Sequence, residues 1–238
     1  MQVRAIKTRV FKPREDLAGF IKRYVRKLPD RSILVVTSKI VALSEGRIVR
    51  YKNQKQKEAL IKAESQWAKK TKYTWLTIKD DTVMASAGID ESNADGQLIL
   101  LPKDSFKTAR SLRNDLKKHY RIKHLGVLIT DSRLMPLRAG VVGVAVGYAG
   151  FKGIRDYVGK PDLFGRKLTV SRTDVADSLA TSAVLVMGEG REQTPLGVLL
   201  DAPAEFGNKV KRQELHIGVD DDVYSPLYRK LWRNRRRS

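Results

Sequence analysis

Residues 125–153 read LGVLITDSRLMPLRAGVVGVAVGYAGFKG, and this stretch decides between a regularly alternating α/β chain and a mixed sheet. Its first six residues, LGVLIT, are a continuous apolar run of the kind that forms a buried strand. That strand is expected to stop abruptly at Asp131. Further on, glycines at 140, 143, 147, 150 and 153 are interleaved with extended apolar residues. The pattern suggests strands in close backbone contact and not a phosphate loop.

Working outward, residues 105–121 are expected to form a helix capped by Ser105, and residues 97–101 a strand ending at Pro102. Residues 174–187, DVADSLATSAVLVM, are strongly helical and are ended by Gly188, with a strand before them at 167–172 and another after them at 196–200. Towards the N-terminus, Leu17, Phe20, Ile21, Tyr24, Val25 and Leu28 make one helical stripe within residues 14–28. Residues 32–37, SILVVT, read as a second buried strand, and 47–51 as a short one. A charged amphipathic helix is expected over 54–70, then a strand pair at 74–78 and 83–87. Residues 227–237 read as a basic terminal helix or tail. Strands and helices are thus mixed without strict βαβ alternation, which gives an α+β fold with mixed and antiparallel sheets and flanking helices.

Three acidic residues stand at the ends of these apolar elements. Asp90 lies in ASAGIDESN, Asp131 follows LGVLIT and precedes the hydroxyl of Ser132, and Glu189 sits in MGEG. A carboxylate at the end of a buried element is costly unless paired, and a divalent cation is the pairing that also does chemistry. Taken singly, each is more readily a turn or capping residue. Gly188 and Gly190 would let backbone N–H groups approach a phosphate, although neither GxxxxGK[ST] nor GxGxxG occurs in the chain. Lys39, in TSKI at the end of the strand at 32–37, is placed either to face a phosphate or to stand as a solvated strand-end Lys. Arg138 offers a bidentate fork to an anionic substrate.

Composition narrows the chemistry. The 238 residues, 42% of them hydrophobic, are enough for a substantial core. With no Cys, disulfides, thiolate catalysis and Cys-ligated zinc are excluded, and His119, His124 and His216 have no metal-ligand spacing. A catalytic metal would be a hard, oxygen-bound cation such as Mg²⁺ or Mn²⁺. The first residues carry no signal-peptide pattern and no window is apolar enough to span a membrane, so a cytoplasmic location is expected. The net charge of +21 calls for anionic partners, and its local excesses fall at residues 52–72, 103–123 and 229–237.

Together, AGIDESN at 87–93, LLP at 100–102, VLITDS at 127–132, RAGVVGVAVGYAG at 138–150, DYVGKPDLFGR at 156–166 and VADSLATSAVLVMGEG at 175–190 resemble the coenzyme F420-0:L-glutamate ligase family. VVTSKIVALSEGRI at 35–48 extends the resemblance over roughly residues 32–200. It implies a dimeric, two-lobed α+β protein that uses GTP and divalent metal to join the amine of L-glutamate to a carboxylate acceptor. On this resemblance residues 1–200 form the ligase-like domain, its metal and nucleotide site between two intertwined lobes, and residues 201–238 a C-terminal extension with the basic tail.

Carried over residue by residue, the resemblance implies that Asp90, Asp131, Ser132 and Glu189 hold Mg²⁺ or Mn²⁺. Ser38, Lys39 and Asn93 would contact the nucleotide, GTP or ATP, and Arg138 would face the acceptor or phosphates. Ser132 stands where the family usually has Thr, Leu134 and Met135 where it has a Gly-Arg pair, and Leu43 where it has a second Lys. The expected partners are L-glutamate, a nucleoside triphosphate, an anionic carboxylate acceptor and a second copy of the chain, with no membrane. Alternatives are a folate-type or peptide-terminus glutamate ligase of the same chemistry, or a non-catalytic basic protein associated with nucleic acid or ribosomes. The last is not favoured, because no recognition helix, stacking ladder or zinc module accompanies the charge.

Overall fold

The computed structural model describes residues 1–227, so the basic tail at 229–237 lies outside the described residues. The chain opens with β1 (Gln2–Ile6), α1 (Leu17–Tyr24), β2 (Ser32–Thr37) and α2 (Ser38–Ser44). Next come β3 (Ile48–Arg50), α3 (Gln54–Ala63), β4 (Trp67–Lys70), β5 (Trp75–Lys79), β6 (Thr82–Ala85) and β7 (Gln97–Ile99). After these follow α4 (Ser105–Tyr120), β8 (Leu125–Leu134), β9 (Val141–Ala149), β10 (Ile154–Asp156), β11 (Arg172–Asp174), α5 (Val175–Met187) and β12 (Leu196–Leu200). The expected α+β class with mixed and antiparallel sheets is the one observed. No described helix is long and apolar enough to cross a membrane.

The elements form two compact units, Met1–Gly46 with Pro102–Leu215, and Arg47–Leu101 with His216 and the described residues after it. The first unit is built on a five-stranded sheet in the order β1-β12-β2-β8-β9. Only β2 and β8 run parallel, and their register sets Thr37 beside Thr130. Helix α5 covers one face, packing on β1, β8, β9 and β12, while α1, α2 and α4 contact one another on β2, β8 and β9. Alternation along the strands divides the side chains between the two layers. Ile33, Val35 and Leu128 join Leu179, Ala180, Ala183 and Met187 of α5 in one buried cluster. Residues 202–215 close over the same core through Phe206, Val210 and Leu215.

The glycine-rich segment is a strand, as expected, and Gly150 lies against strand backbone, its Cβ position 2.1 Å from Leu125 O, but Gly143 and Gly147 meet helices. A Cβ on Gly143 would sit 2.4 Å from the carbonyl oxygen of Ala180 in α5, and one on Gly147 would sit 2.5 Å from Ser105 in α4. A register shift between Ile129 and Thr130 leaves Val146 without a partner on β8. This one-residue bulge is what turns Gly143 towards α5 and Gly147 towards α4.

In the second unit, β4, β5 and β6 form an antiparallel meander, and β3 pairs with β7. The helix expected over 54–70 ends at Ala63, and Trp67–Lys70 is a strand paired with β5. Amphipathic spacing fitted both readings there, and the exposed backbone edge of β5 decided between them. In the first unit, the strand expected at 167–172 is displaced to Arg172–Asp174, which shares only Arg172 with it. Arg47 donates to Leu101 O at 3.1 Å and pairs with Glu64 at 2.8 Å. Burial alone would raise the Glu64 pKa, but Lys79 and Arg47 hold it below the usual carboxylate value.

Candidate active site

β8 does not stop at Asp131. It continues to Leu134, carrying Asp131 opposite Val144 and Ser132 opposite Gly143 on β9. Because the neighbouring β2 is parallel and in register, it ends at the same edge and turns directly into α2. The first residue of that helix, Ser38, is buried, and its hydroxyl donates to Asp131 Oδ1 at 3.2 Å. Lys39 follows on the same turn and is half-buried.

Ser132, one residue on, points to the opposite face of the sheet. There its hydroxyl bonds Glu189, which stands just past the end of α5. The approach of α5 at Gly143, the strand partner of Ser132, delivers Glu189 to this position. Helix α5 ends at Gly188, whose φ of 82° is in the region glycine tolerates. Gly188 N–H caps Val184 O at 2.8 Å, and Gly190 N–H donates to the Glu192 carboxylate at 2.8 Å. Thr130, two residues deeper than Ser132 on the same face, is buried, and its hydroxyl has no hydrogen-bond partner among the described residues.

Two pairs of oxygen-bearing side chains therefore lie at one strand end, Ser38 with Asp131 and Ser132 with Glu189. The oxygen donors suit a hard cation. Each pair supplies few ligands, and among the described residues no three His, Cys, Asp or Glu side chains form a metal-holding group. Mg²⁺ sites commonly take one or two protein carboxylates, with phosphate and water oxygens completing the shell. The residues fit the implied metal in kind.

Arg133 was not singled out from the sequence. It is the next residue of β8 on the Asp131 face and is half-buried. Burial pushes its guanidinium pKa down, while the charges of Asp131 and Asp177 oppose that shift. The available signal was its place two residues beyond Asp131, a cation on the same face of an extended strand. Arg138, in contrast, sits exposed at the tip of the β8–β9 hairpin, where its N–H closes a turn on Met135 O at 3.3 Å.

Asp90 and Asn93 belong to the second unit. A turn at Ser86–Gly88 precedes Asp90, with Ala87 at φ 55° and Gly88 at φ 69°. A Cβ on Gly88 would collide with Leu101 at 2.5 Å, so glycine is needed for the close approach as well as for the turn. Asp90 exchanges backbone bonds with Ile99 at 2.9 and 2.8 Å. Its carboxylate accepts from Ser92 N–H at 2.7 Å and from the Ser92 hydroxyl at 3.0 Å. That Asx turn fixes the carboxylate's direction. Asn93 is exposed with a φ of 52°.

Comparison with known proteins supplies the lineage. The family model described as F420-0:Gamma-glutamyl ligase matches residues 5–78 and 58–200. The chain is 30% identical to the Coenzyme F420:L-glutamate ligase of Methanococcus maripaludis, over 94% of this chain and 97% of that protein. It is 33% identical to the protein of that name in Archaeoglobus fulgidus, over 90% and 92% of the two chains. For its counterpart in Methanocaldococcus jannaschii the identity is 31%, over 94% and 96%. On this match, which takes in Ser38, Lys39, Asp90, Asp131, Ser132 and Glu189, the chain belongs to the F420-0:gamma-glutamyl ligase family of ligases.

Proposed function

We propose that this chain is a nucleotide- and metal-dependent ligase that joins the amine of L-glutamate to a carboxylate acceptor of the F420-0 kind. The observation that carries the reading is the paired arrangement at the end of β8, Asp131 held by Ser38 and Ser132 held with Glu189. The family membership gives that arrangement its reaction class.

The acceptor carboxylate attacks the γ-phosphoryl group of GTP or ATP, giving an acyl phosphate and the nucleoside diphosphate. The glutamate amine then displaces phosphate to form the amide. A carboxylate nucleophile needs no general base, so in the first step the residues act by positioning and charge balance. Ser38 orients Asp131, Lys39 on the same turn meets the nucleotide phosphates, and Arg133 offsets the Asp131 charge. Arg138 takes the anionic acceptor. Mg²⁺ or Mn²⁺, held by Asp131 and by Ser132 with Glu189, would supply charge neutralisation at the phosphates when bound. In the second unit, Asp90 is assigned as a further cation ligand and Asn93 as a nucleotide contact. The test is release of nucleoside diphosphate with Mg²⁺ or Mn²⁺, with mass spectrometry of candidate acceptors. Turnover that depends on glutamate and adds one glutamyl residue supports the reading, and turnover indifferent to glutamate overturns it.

A homodimer is part of the proposal. Gly143 and Gly147 are occupied by the protomer's own helices, but Leu134, Met135, Leu137 and Val141 stand exposed around the hairpin tip. An apolar tip of this kind suits burial against a second copy. Light scattering that reports only monomer across micromolar concentrations overturns the dimer.

A further inference from the structure

The basic excess at residues 103–123 becomes a directed surface in the fold. Helix α4 buries Phe106, Ala109, Leu112 and Leu116 and exposes Lys107, Arg110 and Lys118, with Arg121 immediately after it. Spacings of three, eight and three residues keep these cations within one stripe of the helix. Asp115 is the one acidic residue of α4, and it is paired with Lys22 at 2.7 Å.

The stripe has a beginning and an end. Ser105, at the start of α4, lies against Gly147, which pairs with Ile129. Ile129 is two residues before Asp131, a step of roughly 7 Å along a strand. From there α4 runs antiparallel to β8, and a helix of 16 residues spans about 24 Å. At the far end the Tyr120 hydroxyl bonds Val25 O, and the exposed Arg26 and Lys27 follow Val25 in the chain.

We propose that this stripe on α4, continued by Arg26 and Lys27, is a track for an oligo-γ-glutamyl chain leaving the active site. The inference rests on the ligase reading and names its product. Each ligation consumes one acceptor carboxylate and brings in two from glutamate. The product therefore gains one negative charge and again ends in carboxylates able to serve as acceptors. A chain of regularly spaced carboxylates starting at β8 meets two pairs of cations, Lys107 with Arg110 and Lys118 with Arg121, about two helical turns apart. A single-stranded nucleic acid would also find the charge, but its bases need exposed aromatic surfaces to stack on. On α4, Phe106 is buried, and the half-buried Tyr120 ring is in edge contact with His119 and not part of a row of exposed rings.

The experiment is fluorescence anisotropy of labelled oligo-γ-L-glutamate, long enough to span α4, with the full-length protein and no nucleotide or metal. Binding is expected to weaken as salt rises from about 0.1 to 1 M, where screening shortens from about 10 to 3 Å. The triple variant Lys107→Gln, Arg110→Gln, Lys118→Gln is expected to lose about tenfold in affinity, the summed worth of three exposed ion pairs. Replacing Lys107 and Lys118 by Arg should retain it. Equal binding by the triple variant and the wild type overturns the track. So does preferential binding of oligothymidylate, which would make the surface a nucleic-acid site. Because binding needs no turnover, failure of the ligase reading shows in nucleoside diphosphate release, and failure of the track shows here.

Discussion

Ser38 and Asp131 lie 93 residues apart in the chain and are joined by a 3.2 Å bond from hydroxyl to carboxylate. The bond exists because β2 and β8 are parallel and in register at Thr37 and Thr130. Ser38 then opens α2 while Asp131 continues β8, so each stands one residue past the paired threonines. A one-residue slip would send Asp131 to the α5 face and Ser132 to the α2 face.

Asp131→Asn keeps the shape and can still accept from Ser38, but removes the charge. Ligase turnover should fall by about 10²-fold or more, as expected when one electrostatic contact to a developing charge is lost. The melting temperature should stay within about 2 °C of wild type, since the change is isosteric at a half-buried strand end. Near-wild-type turnover would remove Asp131 from the chemistry.

Ser132 and Glu189 should behave as one unit. Ser132→Ala and Glu189→Gln are each expected to lower kcat, and the double variant should lose little beyond the worse single one. Steady-state kinetics of the four proteins measures the coupling. Fully additive losses would mean that the bond between these side chains has no part in catalysis.

Gly143→Ala tests how α5 delivers Glu189. The new methyl would meet the Ala180 carbonyl, a backbone group that cannot turn aside. Overpacking of this kind costs about 1–3 kcal/mol. Thermal melting should show the loss, and turnover measured well below the melting point should fall as well because α5 is pushed away from Ser132. An unchanged melting temperature would contradict the close approach.

Asp174 gives the fold a pH dependence. It caps α5 by accepting from Asp177 N–H at 2.9 Å. Burial, with the like charge of Asp177, pushes its pKa up to about 6. A carboxyl whose pKa is higher folded than unfolded favours the folded state when protonated. That contribution is complete below the ordinary value near 3.8 and is lost as pH rises through about 6. Asp174→Asn retains a cap acceptor without the charge. It should raise the melting temperature at pH 8 by about 3 °C and make little difference at pH 4. The same gain at both pH values would exclude the carboxyl as its source.

Several elements were legible locally. The buried strands at 32–37 and 125–130, the α5 helix and its glycine stop follow from side-chain period and burial, which neighbouring residues in the chain set by themselves. The carboxylates Asp131 and Glu189 were legible for the same reason, as charges at the boundaries of apolar runs, and the family motifs implied their chemistry. Where the local pattern fitted two structures, it misled. Trp67–Lys70 has helical spacing but completes the edge of β5, and Asp104, not Ser105, caps α4 by accepting from Lys107 N–H at 2.9 Å.

Which side chains meet was decided by the tertiary structure alone. Ser38 finds Asp131 only through the parallel register of β2 and β8, and Ser132 finds Glu189 only because Gly143 admits α5. Arg133 became a candidate only when β8 ran past Asp131 and placed its guanidinium among carboxylates. Local propensity depends on neighbours within a few residues. These pairings depend on strand register and helix approach across the fold, which no short window of sequence contains.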